Sequence, residues 1–538
     1  MNKNLVLKTA AVFCVAALSI APATAQVGHR FPSEKKTVID PVTGTPLSFL
    51  TSSPAGDSKI YQTHPDWTSD GQWVIFRSNR VPGQVMAVNE ATGDIVQVTE
   101  KGYMGMLCVA RKSMKLYFMR DLGAPARRAG GGPGAGYQDP ALASTPPPPE
   151  GARAGGPNGP SAEGRRKGGF MRPRGPFAIF EVDLARLFAD SAAGTVGPSD
   201  SYERNCGTMP VGMGAGGNMG LDANEDYVYF SVQGGDVGKD MDPNNPVYSQ
   251  YVEPGTNHAK PFGPRGMGGG PTGLRSMNLQ TGEVKMIVDV PFQIGHVQTN
   301  PWTPGEIVFC WETGGKAPQR TWVVKSDGTG LRPLYPEATY EWITHEAVIT
   351  KDEVAIAILY THTPGGGGRR GRRGPAAGQA DQPGAAAVPA ADAPAQPPQP
   401  APTWGIAGDD SHPTGVGIVN LRTHEMRIVG QVPLGSSGRS IWHVNGSADG
   451  RWAAADDFQY RLWIIDRHTG EMALLASMGQ VTTAADHIHP TFSADGTKIE
   501  IQSAMLSANK RSLNICVVPL PKAWLDRTYD DKNRLLAQ

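Results

Sequence analysis

Two histidines, His487 and His489, stand one residue apart in the stretch AADHIHPTFSADG, residues 484–496. If that stretch enters a strand, alternate side chains share a face. The two Cβ atoms then lie about 6.5–7 Å apart, and two imidazoles at that spacing reach one ion through bonds of about 2.1 Å. Four more of the chain's 12 histidines, His64, His296, His345 and His443, fall where other short strands begin. The remainder, His29, His258, His362, His412, His424 and His468, lie in the N-terminal stretch, in inserts and at turn corners. Histidines sorted this way point to a divalent metal site, its third ligand coming from a neighbouring segment, His345 or His443. Competing chemistries lack their signatures: there is no G-x-S-x-G, no dinucleotide fingerprint and no P-loop. Carboxylates such as Asp70 and Asp495 belong to S-x-D-G-type turns and read as turn formers.

The histidines ride on a recurring unit of about forty residues, the period of a propeller blade. Each unit has a strand, an S/T-x-D-G turn, two further strands, a T-G pair and a last strand. The clearest copies are HPDWTSDGQWVIFRSNRVPGQVMAVNEATGDIVQVT (64–99), HVQTNPWTPGEIVFCWETGGKAPQRTWVVKSDGTGLRPLY (296–335) and WHVNGSADGRWAAADDFQYRLWIIDRHTGEMALLAS (442–477). Weaker copies start near Gly102, Gly217 and His345, and a seventh starts at His487. That last unit ends without its TG strand, and DPVTGTPLSFLT (40–51) supplies the missing piece from the other end of the chain. The reading is therefore all-β: a seven-bladed propeller over residues 26–522, closed by an N-terminal strand, with a tail at 523–538. Inserts at about 123–176, 234–272 and 363–403 each follow the second strand of a blade and are expected to be largely disordered; the first and third are rich in Gly, Pro and Ala with basic clusters. They emerge on the face where His64, His296, His345 and His487 are expected to begin their blades.

The 538 residues carry 50 basic and 50 acidic side chains. Balanced charge gives no pull toward nucleic acid. MNKNLVLKTAAVFCVAALSIAPATAQ has the lysines, apolar run and Ala-Thr-Ala of a secretory leader cut after Ala25, so a periplasmic or secreted chain is expected. No later apolar run is long enough to span a bilayer. Cys108, Cys206, Cys310 and Cys516 allow three pairings; Cys310 and Cys516 sit in apolar strands and read as buried thiols.

In their order and spacing, SEKKTVIDPVTGTPLSFLT, YQTHPDWTSDGQWVIF, GHVQ…VFCWE…RTWVVKSDGTGLR, THE at 344–346 and HIHPTFS at 487–493 resemble the oligogalacturonate lyase family of seven-bladed propellers. The resemblance runs through most of the chain outside the inserts. It implies cleavage of an acidic oligosaccharide by β-elimination with a Mn²⁺-type metal. It also implies His345, His487 and His489 as metal ligands and His296 as the base. His64, Trp311, Arg320 and His443 are expected to line the substrate. Three departures stand out. Ala484 replaces the family's glutamine ligand, Gly273 falls where the family has an arginine (Arg275 is two residues on), and FCWET replaces FCHEG at Trp311. The alternative reading is a non-catalytic periplasmic propeller of the TolB-like kind that binds a protein partner.

Overall fold

The computed structural model describes residues 26–536, apart from 124–175, 360–413, 432–440 and the loop positions 211, 254, 257, 264–265, 315–316 and 339–340. Seven antiparallel sheets follow one another along the chain. Their innermost strands are Asp57–Lys59, Met104–Val109, Met213–Leu221, Ile294–Thr299, Trp342–Thr350, Ile441–Gly446 and Thr491–Phe492, in blades 1 to 7. The S-x-D-G reading holds: Asp70 accepts from Thr68 and the Gln72 amide, Asp495 from Ser493 and the Thr497 amide. The glycines that follow, Gly71 and Gly496, have φ of 70° and 68°, which a Cβ makes costly. Apolar faces of adjacent blades interlock; Ala347 and Ile349 of blade 5, for example, pack with Val444 and Ala453 of blade 6.

The ring closes through its N-terminal segment, with more strands than the sequence suggested. Pro46–Phe49 pairs with Asn514–Pro519 of blade 7, and Lys36–Ile39 adds a fifth strand outside it. Arg30–Phe31 then pairs with Ile95–Gln97 at the rim of blade 1. Asp40 fastens the segment to blade 6 by accepting from the Ser477 and Met478 amides.

The first and third inserts lie outside the described residues. The second differs from the disorder expected of it. Tyr248, Val252 and Ala259 are buried against the blade 4 core, around a short helix at Pro246–Ser249. Its aromatic residues give it apolar area to bury, which its glycine content concealed. Cys108, Cys206, Cys310 and Cys516 are all free and buried. No helix among the described residues is long and apolar enough to cross a membrane.

Candidate functional site

A recurrent irregularity turns the inner strands' side chains into the channel. Register slips between Gly295 and Gln298, between Ile343 and Glu346, and between Ile441 and Val444. These β-bulges carry His296, His345 and His443. A bulge bends its strand and re-aims a side chain. His296 has φ of 45° and His489 of 50°, left-handed values that recur at functional positions. Blades 2 and 3 bulge too, but put Gly105 and Gly217 there. A Cβ on Gly105 would lie 2.6 Å from the Gly217 carbonyl oxygen. The wall closes there backbone to backbone, and the histidines crowd onto blades 4 to 7.

Tyr61 of blade 1 fills the centre. Its ring lies 5.0 Å from His296 and 5.1 Å from His489, centroid to centroid, and 6.0–6.2 Å from His443 and His345. Two groups of side chains flank it.

The first surrounds His296. Its Nδ1 is 2.8 Å from Glu346 Oε1, and its Nε2 is 3.4 Å from Glu312 Oε2. Arg320 donates from Nε to Glu346 Oε2 at 3.1 Å and has Nη2 3.3 Å from His296 Nδ1. All four are buried. Burial opposes charge on His296, but the Glu346 carboxylate, with Glu312 behind it, more than offsets this and raises its pKa above the ordinary imidazole value. Burial likewise opposes charge on Glu346, and Arg320 and His296 together pull its carboxyl below the usual range. Cys310 Sγ is 3.7 Å from Glu312, so His296, Cys310 and Glu312 also bring three ligand atoms within 4.8 Å of one another. Burial pushes the thiol well up, and Arg320 already supplies fixed positive charge here.

The second group surrounds His443. Its ring lies 4.2 Å from His345, 3.8 Å from His489 and 5.4 Å from His487. His345 points Nδ1 at the Trp442 carbonyl oxygen, 2.6 Å away, a contact that sets the tautomer and leaves Nε2 to carry the lone pair. His443 Nδ1 contacts Asp456 Oδ2 at 2.9 Å, and His487 Nδ1 stands 3.6 Å from the same oxygen. Burial works against Asp456, but the His443 and His487 rings hold its carboxyl well below the usual range. His489 contacts Gln62 Oε1 through Nδ1 and Asp486 Oδ1 through Nε2, each at 3.0 Å. His443, Asp456 and His487 form the second place where three ligand atoms lie within 4.8 Å.

The residues named from sequence divide accordingly. His296 and Arg320 come together in the first group; His345, His443, His487 and His489 come together in the second. His487 and His489 get there differently from the expectation. They precede the strand Thr491–Phe492 rather than lie on it, and the left-handed His489 breaks the alternation on which a shared face depends. His487 stacks on Tyr460 at 4.3 Å, while His489 stacks on His443.

His64 is not at this mouth. Blade 1's inner strand begins at Asp57, so His64 falls beyond its end and lines a cavity at the opposite mouth with Arg111 and Asn445. It bonds the Met219 carbonyl at 2.7 Å, and burial lowers its pKa to about 4. Trp311 is 1% exposed, stacks on Phe292 at 4.6 Å and donates Nε1–H to the Gly268 carbonyl, so it forms core. Arg275 pairs with Asp289 at 2.6 Å on the third strand of blade 3. Arg320 is the guanidinium beside His296.

Sequence reasoning passed over Tyr61, Glu312, Glu346 and Asp456. Asp456 did leave a signal, since it ends the run WAAAD in a strand buried throughout. A carboxylate in such a strand needs a partner.

The overall fold has counterparts among solved structures. An oligogalacturonate lyase in complex with manganese superposes with a TM-score of 0.56 at 15% identity, over 93% of this chain and 100% of that one. The oligogalacturonate lyase of Vibrio parahaemolyticus gives 0.55 at 14%, with the same coverage. The fold is shared with oligogalacturonate lyases. A TolB-like protein from Agrobacterium tumefaciens reaches only 0.30, over 61% of this chain and 78% of that one, at 11% identity. No family model matches the sequence, and no curated protein matches it.

Proposed function

We propose that this chain is a metal-dependent lyase that cleaves oligogalacturonides, or a related uronate oligosaccharide, by β-elimination. One observation carries the reading: a carboxylate-backed imidazole, His296, stands 5.8 Å from His345, ring to ring, at the edge of a cluster of nitrogen and oxygen donors. Those donors suit a divalent ion of the Mn²⁺ kind. By the resemblance, His345, His487 and His489 would hold it, and two solved structures of the same fold are oligogalacturonate lyases, one bound to manganese. The ion would engage the uronate carboxylate and offset the charge that develops when the α-proton leaves.

The chain's own groups supply the rest. With Nδ1 held against Glu346, the His296 nitrogen left for the proton is Nε2. Taking it creates an imidazolium flanked by Glu346 and Glu312, and such preset charges stabilise it without reorganisation. Arg320 orients Glu346 from its far oxygen. The electron pair of the broken C–H bond becomes the new double bond, and the glycosidic oxygen departs from C4. The product is an unsaturated uronate that absorbs in the ultraviolet. A leader at residues 1–25 would place this activity outside the cytoplasm.

The test mixes purified protein, Mn²⁺ and oligogalacturonides and follows ultraviolet absorbance. Absorbance should rise, and His296→Ala should abolish the rise with melting unchanged. Protein inert on every uronate tried, with or without Mn²⁺, would sink the reading.

A further inference from the structure

The two ligand clusters differ in how their charge is balanced. Around His296, Glu312 and Glu346 face the Arg320 guanidinium, which never loses its proton. Around Asp456 there is no such cation. Asp456 is fully buried, and among the described residues neither lysine nor arginine pairs with it; its ion-pair partners are His443 and His487. A buried carboxylate is costly unless paired or bound to a metal. His487 Nδ1 is buried, has no hydrogen-bond partner and stands 3.6 Å from Asp456, beyond hydrogen-bonding reach.

The spacing suits an ion between these atoms. Ligands with bonds of about 2.1 Å lie about 3.0 Å apart at right angles and about 3.4 Å apart in a tetrahedron. The observed separations from Asp456 Oδ2 are 2.9 Å to His443 Nδ1 and 3.6 Å to His487 Nδ1. His489 is less suited, since both its ring nitrogens already contact oxygens, of Gln62 and Asp486.

We infer that His443, Asp456 and His487 hold the divalent ion in this chain, with Asp456 as its charged ligand. The inference rests on the lyase reading only for the choice of ion. The site is a carboxylate-bearing one, harder than a set of neutral ligands, and it favours Mn²⁺ or Mg²⁺ over Cu²⁺ more than histidines alone would.

The experiment is anomalous diffraction at the manganese edge from crystals of the chain grown with MnCl₂. A peak bonded to Asp456, His443 and His487 is expected. A peak bonded to His345, His487 and His489, with Asp456 not coordinated, overturns the inference, as does the absence of any peak here. In solution, calorimetric titration with Mn²⁺ should show Asp456→Asn weakening binding at least tenfold, and more than His345→Ala does. The reverse order overturns it. If Asp456→Asn does not fold, the diffraction result decides alone. The two readings separate cleanly. Manganese on Asp456 without product absorbance keeps this inference and ends the lyase reading. Product absorbance with manganese elsewhere does the opposite.

Discussion

Replacing Glu346 by Gln tests the base most directly. The substitution keeps shape and a hydrogen-bond acceptor but deletes the charge 2.8 Å from His296 Nδ1. At a charge separation of about 4 Å and an effective dielectric of about 20, that charge acts on the imidazolium with roughly 4 kcal/mol. About 1.4 kcal/mol corresponds to one pH unit, so even with two-thirds lost to relaxation the change is close to a full unit. Its sign is fixed: Glu346 raises the His296 pKa, so its loss lowers that pKa. Arg320, left facing an uncharged amide, pushes the same way. The assay is kcat/KM for product absorbance across pH 5 to 9. Wild type should lose activity as pH falls through a value above about 6.5, the ordinary imidazole value. Glu346→Gln should carry that limb to lower pH by a unit or more. An acid limb that stays put, in a variant whose melting shows it folded, refutes His296 as the titrating base.

Other outcomes follow from the same geometry. Trp311→Phe should lower the melting temperature, through lost stacking and a lost bond to Gly268, and leave KM within twofold; a tenfold rise in KM with unchanged melting would return Trp311 to the substrate site. Burial raises Glu341 to about 7, above the unfolded value of about 4.3. Its contribution to stability is therefore full at low pH and lost as pH rises through about 7, so Glu341→Gln should flatten the melting temperature between pH 5 and 8; an unchanged slope would contradict this. A chain beginning at Ser52 lacks the strands that complete blade 7 and edge blade 1, and it should lose its cooperative melt in calorimetry. A melt like wild type's would mean that closure contributes little.

The sequence made the scaffold legible because each blade announces itself locally. D-G and T-G turns recur at short range, and a gap in the last unit matched a surplus at the start. Three of the histidines, His296, His345 and His443, were legible for the same reason, since they lie near the starts of inner strands. What stayed hidden was long-range. Glu346 meets His296 across 50 residues, and Asp456 meets His487 only because neighbouring blades abut. His64 was placed on the wrong mouth because its motif looks like a blade opening, while the true inner strand, Asp57–Lys59, is short and polar at both ends. The H-x-H spacing relies on strand alternation, and the left-handed His489, ahead of the strand, breaks it.

The strand that completes the ring carries a consequence for how the molecule comes to exist. Phe49 pairs with Cys516, and Thr45 bonds the Leu475 carbonyl, so residues at one end of the propeller wait for partners more than 400 positions later in the chain. Pairings that distant form slowly. Until the final strand arrives, the edge of Pro46–Phe49 that meets it and the open edge of the last sheet are both unpaired, a state open to association between chains. Assembly would then be a single late event, and a nascent chain lacking only its last blade would have no completed ring at all.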